Sequence, residues 1–232
     1  MSVASFYHIE DMRGMKLYLD TADRDRITEA ARLGVVDGVT TNPSIVTAAG
    51  LGYREAVTAI ADVVDGPVFA QVLADDVEGI VREARGYQEW ADDVVAKIPA
   101  TRPGFEALAR LRDEDVPAGT TVVFSIEQAV LAAKNDASFV APYVGRLDDA
   151  GEDGVDTVRR IQHIYDTYGF ETEVLAASVR NTTQAVSLYE AGVDAVTLSP
   201  DVLDDHVPHP KTDEGVAGFE AAWGDRGSPI DE

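Results

Sequence analysis

Short apolar runs alternate along the chain with longer segments in which apolar residues recur every three or four positions. Runs of about four to eight apolar residues, rich in β-branched side chains, are typical of strands buried on both faces, whereas the longer period is typical of amphipathic helices. The runs predict eight strands, at residues 17–19, 38–42, 68–72, 94–98, 121–124, 138–142, 173–177 and 195–198. The periodic segments predict helices at about residues 23–33, 53–64, 77–90, 104–112, 126–134, 155–168, 182–191, 200–205 and 213–223.

Eight strand-helix units at such short spacing favour a closed parallel barrel wrapped by helices. The expected fold class is α/β, a single (β/α)8 TIM barrel with an additional C-terminal helix at about residues 213–223. An open doubly wound sheet is the alternative, but no glycine-rich dinucleotide or phosphate loop follows a predicted strand. Residues 1–14 lack a clear periodicity and are expected to form an extension, with the barrel domain at 15–232. The acidic, glycine-bearing segment 146–154 is expected to be a loop.

The charge balance narrows the classes of partner. Lysine and arginine number 19 against 42 aspartates and glutamates, a formal net charge of -23. Nucleic acid and anionic membrane surfaces are therefore disfavoured as partners. An acidic surface poor in lysine is typical of proteins from salt-loving organisms, where screening relieves self-repulsion.

The chain contains no cysteine, which excludes disulfides, thiolate metal sites and a cysteine nucleophile. No apolar run approaches the ~18 residues of a membrane span, and no signal peptide is evident, so we expect a cytoplasmic protein.

One lysine, Lys97, stands inside the apolar run 94–98. Burial penalises an ammonium ion, so a lysine in such a strand tends to have a lowered pKa and to present a free amine that can form Schiff bases with carbonyl substrates. Alternatively, its side chain reaches solvent at the strand end or pairs with a carboxylate.

The other lysines are poorly placed for chemistry. Lys16 begins the first strand, Lys134 ends a helix and Lys211 lies in a polar segment. The histidines lack a spacing that would converge on a metal, so we expect neither a metal nor a cofactor. They are His8, His163, His206 and His209.

Polar residues follow most of the predicted strands, and in a (β/α)8 barrel the carboxyl ends of the strands form the active site. A carboxylate, amides, hydroxyls, a lysine and two arginines converging on one mouth indicate a pocket for a polar substrate. These candidates are Asp20, Thr40, Asn42, Gln71, Lys97, Thr121, Tyr143, Arg146, Ser178 and Arg180.

Several motifs together resemble the transaldolase family in its short form. They are LYLDTA at 17–22, GVTTNPS at 38–44, the strand that carries Lys97, APYVGRLDD at 141–149 and AAS at 176–178. The resemblance extends from about residue 15 to 223. It implies a barrel enzyme that attacks a ketose phosphate through a lysine Schiff base, breaks the C3-C4 bond and holds a dihydroxyacetone unit as an enamine.

Matched position by position, the resemblance implies that Lys97 is the Schiff-base nucleophile and that Asp20 moves protons around bond cleavage. Asn42 and Ser178 would hold the hydroxyls of the dihydroxyacetone unit, with Thr40 supporting Asn42. For Asp20 and Ser178 a helix-capping role is the alternative.

The same resemblance implies that Arg146 and Arg180 grip the substrate phosphate, a bidentate task that suits a guanidinium group. The alternative for these arginines is a surface ion pair with Asp148 or Asp149.

Two positions separate branches of this family. Transaldolases place a glutamate where Gln71 stands and usually a phenylalanine where Tyr143 stands, whereas the fructose 6-phosphate aldolase branch resembles this sequence at both. Gln71, Thr121 and Tyr143 would bind one water, with the Tyr143 hydroxyl positioned to protonate the enamine. Protonation would release free dihydroxyacetone. We therefore expect direct cleavage and formation of fructose 6-phosphate. Dihydroxyacetone transfer, which Arg180 favours, is the alternative, and a non-catalytic barrel is the remote one.

The last predicted helix carries Phe219 and Trp223 on one face. This apolar stripe is suited to pack on its own barrel or on a neighbouring subunit. The family resemblance implies the neighbour, in rings of five that often pair into decamers.

Overall fold

The computed structural model describes residues 14–224, 226–228 and 230. Its eight strands form a closed barrel in which each strand pairs in parallel with its sequence neighbours and β1 also pairs with β8. The predicted (β/α)8 architecture is confirmed. The strands are β1 Lys16–Asp20, β2 Gly38–Thr40, β3 Val68–Gln71, β4 Val94–Pro99, β5 Ala118–Val123, β6 Phe139–Pro142, β7 Glu173–Val179 and β8 Ala195–Leu198.

Helices surround the barrel, and many begin within a few residues of a strand's carboxyl end because a side chain there caps them. The caps Asp23, Asn42, Thr101 and Asn181 each accept a backbone N–H of the helix that follows. The helices are α1 Arg24–Ala31, α2 Pro43–Ala48, α3 Tyr53–Ala61, α4 Val77–Tyr87, α5 Arg102–Arg112, α6 Ile126–Lys134, α7 Val144–Asp149, α8 Gly154–Tyr168, α9 Thr182–Glu190, α10 Pro200–Asp204 and α11 Pro210–Trp223.

The barrel interior is filled by an aromatic layer below the strand ends. Tyr18 contacts Phe69 edge-on at 4.9 Å between ring centroids, and Phe69 contacts Phe139 at 5.1 Å. The Phe139 ring lies directly against Gly119, where a Cβ would come within 2.2 Å of a ring carbon. This layer closes the barrel beneath the level at which Lys97 projects, two residues after Val95 in β4.

Most predicted elements are shifted by at most a few residues at their ends, as for α11, which begins at Pro210 instead of residue 213. Three differences are larger. β5 begins at Ala118 instead of residue 121. Gly119 belongs to the strand and not to a preceding loop, because the Phe139 ring packs against its Cα, where a side chain would not fit. Two short helices were not predicted: α2, which Asn42 caps, and α7, whose residues 146–149 occupy the first part of the expected loop 146–154. α7 forms because Val144 and Leu147 bury their side chains against the barrel.

Two strands carry a bulge near their carboxyl ends. Val122 in β5 and Ser178 in β7 have positive φ angles of 57° and 58°, and the register of each strand shifts at that point. A β-branched residue in this conformation is rare, and such strain concentrates at functional sites. The bulges lie on the two strands that flank β6.

The final helix, α11, stands apart from the core. All 14 of its residues are described and none is buried, and Phe219 is 79% exposed. The extension predicted at 1–14 lies outside the described residues apart from Gly14, so the domain division stays a prediction. Within the described ranges, no helix has the length and apolar character needed to cross a membrane.

Candidate active site

A cavity opens at the carboxyl ends of the strands. It brings together the predicted site residues except Gln71 and Arg180, and it adds four residues that the sequence analysis did not name, Ala141, Leu175, Ala177 and Thr197. Its lining residues are Asp20, Thr40, Asn42, Lys97, Thr121, Ala141, Tyr143, Arg146, Leu175, Ala177, Ser178 and Thr197.

Lys97 projects into this cavity from β4 and is only 5% exposed. Burial lowers the pKa of its amine to about 8, and the charge of Asp20 opposes that shift in part. The side chain does not reach bulk solvent, and no ion pair within 4 Å joins Lys97 to another described residue. With this pKa, about a tenth of the amine is neutral and nucleophilic at pH 7, far more than for a lysine of ordinary pKa.

Asp20 ends β1 and faces the same cavity. Burial raises the pKa of its carboxyl group, while the charge of Lys97 and a hydrogen bond from Thr40 act in the opposite direction. The capping alternative does not hold, because Asp23 and not Asp20 caps α1. A carboxyl group with a raised pKa suits proton exchange with a substrate.

Thr40 lies beside Asp20 in the register of β1 and β2. Its hydroxyl donates to Asp20 Oδ1 at 2.7 Å, and Thr197 Oγ1 lies 2.7 Å from Thr40 Oγ1 on the other side. The family resemblance implies that Thr40 supports Asn42, whereas its described hydrogen bonds go to Asp20 and Thr197.

Asn42, which follows β2, and Ser178, in β7, both present polar groups to the cavity. Asn42 Oδ1 accepts the backbone N–H of Ile45 at 3.1 Å, which fixes the side chain and leaves its amide N–H groups for the cavity. Ser178 lies at the bulge of β7, and Asn181 caps the following helix, so the capping alternative for Ser178 does not hold. Because of the bulge, Ala177 and Ser178 both line the cavity.

Tyr143 and Thr121 form a buried hydroxyl pair, with 3.0 Å between their oxygens. Burial raises the pKa of the Tyr143 phenol, and the hydrogen bond with Thr121 opposes that rise. Gln71 does not line the cavity. Its position in β3 is level with Lys97, and its backbone carbonyl accepts hydrogen bonds from Tyr53 and Tyr87 at 2.9 and 3.0 Å.

The two arginines differ in their placement. Arg146, on α7, lines the cavity with its guanidinium carbon 5.0 Å from the centre of the Tyr143 ring. Arg180 lies outside the lining and forms an exposed bidentate ion pair with Asp149, with one N···O distance of 2.6 Å. The ion-pair alternative therefore describes Arg180 in this structure, and Asp149 is its partner.

Thr197 carries a signal that sequence reasoning could have used. It is a polar residue inside the apolar strand 195–198, the pattern that singled out Lys97. The apolar lining residues Ala141, Leu175 and Ala177 have no such signal. No group of three or more potential metal ligands occurs within the part of the chain that the structure describes.

The cavity places a buried amine of lowered pKa opposite a buried carboxyl group, at the carboxyl ends of the strands of a (β/α)8 barrel. This arrangement is typical of enzymes that form Schiff bases with carbonyl substrates.

Comparison with known proteins identifies the family within that class. Residues 17–227 match the family model described as transaldolase/fructose-6-phosphate aldolase. A probable transaldolase of Methanococcus maripaludis (strain C5) is 46% identical over 209 residues, which cover 90% of this chain and 97% of the relative. A probable transaldolase of Caulobacter vibrioides is 42% identical over 216 residues, which cover 93% and 100%. The chain belongs to the transaldolase/fructose-6-phosphate aldolase family and is an enzyme of the Schiff-base aldolase/transaldolase type.

Solved structures of other enzymes share the fold alone. Orotidine 5'-monophosphate decarboxylase from Methanocaldococcus jannaschii matches with a TM-score of 0.57 and 16% identity, covering 80% of this chain and 88% of that one. Thiamine phosphate pyrophosphorylase from Pyrococcus furiosus matches with a TM-score of 0.55 and 16% identity, covering 80% and 85%.

Proposed function

We propose that this protein is a class I aldolase that cleaves and forms the C3-C4 bond of fructose 6-phosphate, with dihydroxyacetone and glyceraldehyde 3-phosphate as the other reactants. The observation that carries this choice is the phenol of Tyr143, which lines the same cavity as Lys97 and is hydrogen-bonded to Thr121. An acid at that position gives the bound enamine a proton and so favours release over transfer.

In the proposed cycle, the neutral amine of Lys97 attacks the C2 carbonyl of the sugar, and uptake of one proton with loss of water gives the protonated imine. The Asp20 carboxylate takes the proton of the C4 hydroxyl, the C3-C4 bond breaks, and its electron pair forms the enamine as glyceraldehyde 3-phosphate leaves. Tyr143 then delivers a proton to C3 through a water that Thr121 helps to hold. Gln71 lies outside the cavity lining, and its side chain would have to turn inward to bind the same water. Hydrolysis of the resulting protonated imine frees dihydroxyacetone, releases the proton taken up when the imine formed and restores the amine. The proton held by Asp20 returns through water to Tyr143, so that both groups end the cycle as they began it.

The remaining polar groups are proposed to hold the substrate. Asn42 and Ser178 bind hydroxyls of the dihydroxyacetone unit, and the exposed guanidinium of Arg146 at the mouth binds the phosphate. Arg180 is a second candidate for binding the phosphate. To do so, it would break its ion pair with Asp149 and form one with the substrate phosphate. No metal or cofactor takes part in this proposal.

Transfer of the dihydroxyacetone unit to an aldose phosphate such as erythrose 4-phosphate is the second candidate. The curated relatives at 42–46% identity bear the name probable transaldolase, which favours it. In transfer, the enamine would have to survive until the aldose arrives, and an acid close to the enamine works against that survival.

The decisive experiment measures fructose 6-phosphate cleavage with and without erythrose 4-phosphate. We expect release of free dihydroxyacetone in the absence of the aldose, and turnover only when the aldose is present would replace the aldolase proposal with transfer. Borohydride trapping with dihydroxyacetone, followed by mass mapping, should place the adduct on Lys97. An adduct on another lysine, or none, would contradict the mechanism.

The oligomeric state and the cellular location of the enzyme are further parts of the proposal. The exposed apolar side chains of α11, Phe219 above all, support a helix that docks on an adjacent subunit, and rings of five or ten subunits stay a prediction. Measurement of the mass in solution tests the ring. The cytoplasmic location and the salt-loving source expected from the sequence also stay predictions.

A further inference from the structure

The side chain of Thr197 occupies an inward position on β8 and is 3% exposed. β1 is flanked by β2 on one side and by β8 on the other, with Thr40 level with Asp20 and Thr197 level with Tyr18. Thr40 and Thr197 therefore approach each other across the inner face of β1, immediately below the carboxyl group of Asp20. Their hydroxyl oxygens lie 2.7 Å apart.

The number of protons fixes the direction of these hydrogen bonds. Each threonine hydroxyl has one proton to donate, and an ionised carboxylate only accepts. Since Thr40 gives its proton to Asp20 Oδ1 at 2.7 Å, the short contact between the threonines requires Thr197 to donate to Thr40. When Asp20 is protonated, the order can reverse, with Asp20 donating to Thr40 and Thr40 donating to Thr197.

We propose that Thr197 is a positioning residue that acts through Thr40, holding the Thr40 hydroxyl in line with Asp20 in both protonation states of the carboxyl group. The proposal rests on the proposed function in one respect, because there Asp20 takes up and returns a proton in each cycle. Without the Thr197 hydroxyl, Thr40 loses the donor that orients it, and the carboxylate form of Asp20 is less well stabilised.

The other charged or titratable groups that face Asp20 across the cavity are Lys97, Tyr143 and Arg146. None of the three forms a described hydrogen bond with Thr197. A change at Thr197 should therefore reach Asp20 through Thr40 and leave the charges around it unaltered.

The first test compares Thr197→Val, which keeps the shape and removes the hydroxyl, with Thr197→Ser, which keeps the hydroxyl. We expect Thr197→Val to lower kcat for cleavage about fivefold to tenfold, the rate equivalent of one hydrogen bond, and to move the acidic limb of the kcat profile to higher pH. Thr197→Ser should restore most of the rate and the wild-type limb. Equal losses in both variants, or a valine variant that matches the wild type, would overturn the proposal.

Thr120→Val is the matched control. Thr120 is a fully buried threonine of the barrel whose hydroxyl has no hydrogen-bond partner among the described residues. The same substitution there should leave the pH profile unchanged, so a shifted profile in this control would show that the shift in Thr197→Val is not specific to the hydroxyl chain.

A double-mutant cycle tests whether Thr197 acts through Thr40. Thr40→Val alone should lose at least as much activity as Thr197→Val, and the double variant should be no slower than Thr40→Val. Losses that multiply in the double variant would mean that Thr197 acts on its own, which contradicts the proposal.

A measurement without turnover separates this proposal from the proposed function. The carboxyl carbon of Asp20, assigned by its loss in Asp20→Asn, can be titrated by NMR, and we expect a higher pKa in Thr197→Val than in the wild type and Thr197→Ser. If borohydride traps no adduct on the wild-type enzyme, the aldolase proposal fails while this titration still tests the hydroxyl chain. An unchanged Asp20 pKa in Thr197→Val would overturn the chain even in an active aldolase.

Discussion

Asp20 and Lys97 face one another across the barrel mouth from β1 and β4, and the charge of each opposes the effect of burial on the other's pKa. The amine is kept partly neutral and the carboxyl group is kept easy to protonate, so neither is locked in its charged form. The proposed exchange of protons near neutral pH depends on this balance between burial and charge.

Asp20→Asn should lower the pKa of Lys97 further, because it removes the charge that stabilises the ammonium form. The rate of borohydride labelling as a function of pH should then rise at lower pH than in the wild type, whereas cleavage should fall about 100-fold or more with the loss of the proton acceptor. Asp23→Asn is the control, since asparagine also caps a helix. A labelling profile that does not move would show that the two groups are not coupled.

Lys97→Met should abolish the Schiff base and stabilise the fold at neutral pH. The pKa of Lys97 is depressed in the folded state, so the unfolded chain binds more protons between about pH 8 and the ordinary lysine value of 10.5. The burial penalty on the fold is therefore full below pH 8 and disappears as the pH rises through that window. We expect a gain on the order of 2 kcal/mol, because each pKa unit is worth about 1.4 kcal/mol and Asp20 loses its opposing charge.

Urea unfolding at pH 7 and near pH 10.5 measures this gain. The variant should be more stable than the wild type at pH 7 and close to it at the higher pH. A variant less stable than the wild type at both values would mean that Lys97 contributes more by its contacts than it costs by its charge.

Tyr143→Phe should slow aldolase turnover far more than dihydroxyacetone transfer, because only the first reaction needs an acid at the enamine. Thr121→Val, which leaves the phenol in place and removes its hydrogen-bond partner, should give a smaller loss of the same kind. The two activities are measured on one preparation, with and without an aldose phosphate. Equal losses in both activities would remove the basis for choosing the aldolase branch.

Arg146→Gln should raise KM for fructose 6-phosphate about 10-fold to 100-fold, the range expected for losing hydrogen bonds to a charged group. Arg180→Gln should have the smaller effect, because that guanidinium is already held by Asp149 on the surface. Both variants should act on unphosphorylated fructose much as the wild type does. A larger effect from Arg180 would mean that the pairing with Asp149 opens when substrate binds.

The fold and most of the residues that line the cavity could be predicted from the sequence, because both follow from local patterns of apolar and polar residues. In a parallel barrel every strand ends at the same face, so a polar residue at a strand end, such as Asp20 or Lys97, is placed by topology alone. The prediction of a buried amine at Lys97 needed only its position in an apolar run.

The features that the sequence did not reveal depend on contacts between distant segments. Nothing local distinguishes Arg146 from Arg180, yet one reaches the cavity and the other is held by Asp149. The bulge at Ser178 arises from a register shift against β8, and α7 is too short for its period to stand out from its acidic and glycine residues.

The aromatic layer of Tyr18, Phe69 and Phe139 fills the barrel interior below the level of Lys97, so a molecule bound to Lys97 exchanges with solvent at the end of the barrel where the strands terminate. In the proposed cleavage, the fragment nearer the strand ends would therefore leave first. The fragment attached to Lys97 would be the last to depart, an order set by the shape of the barrel.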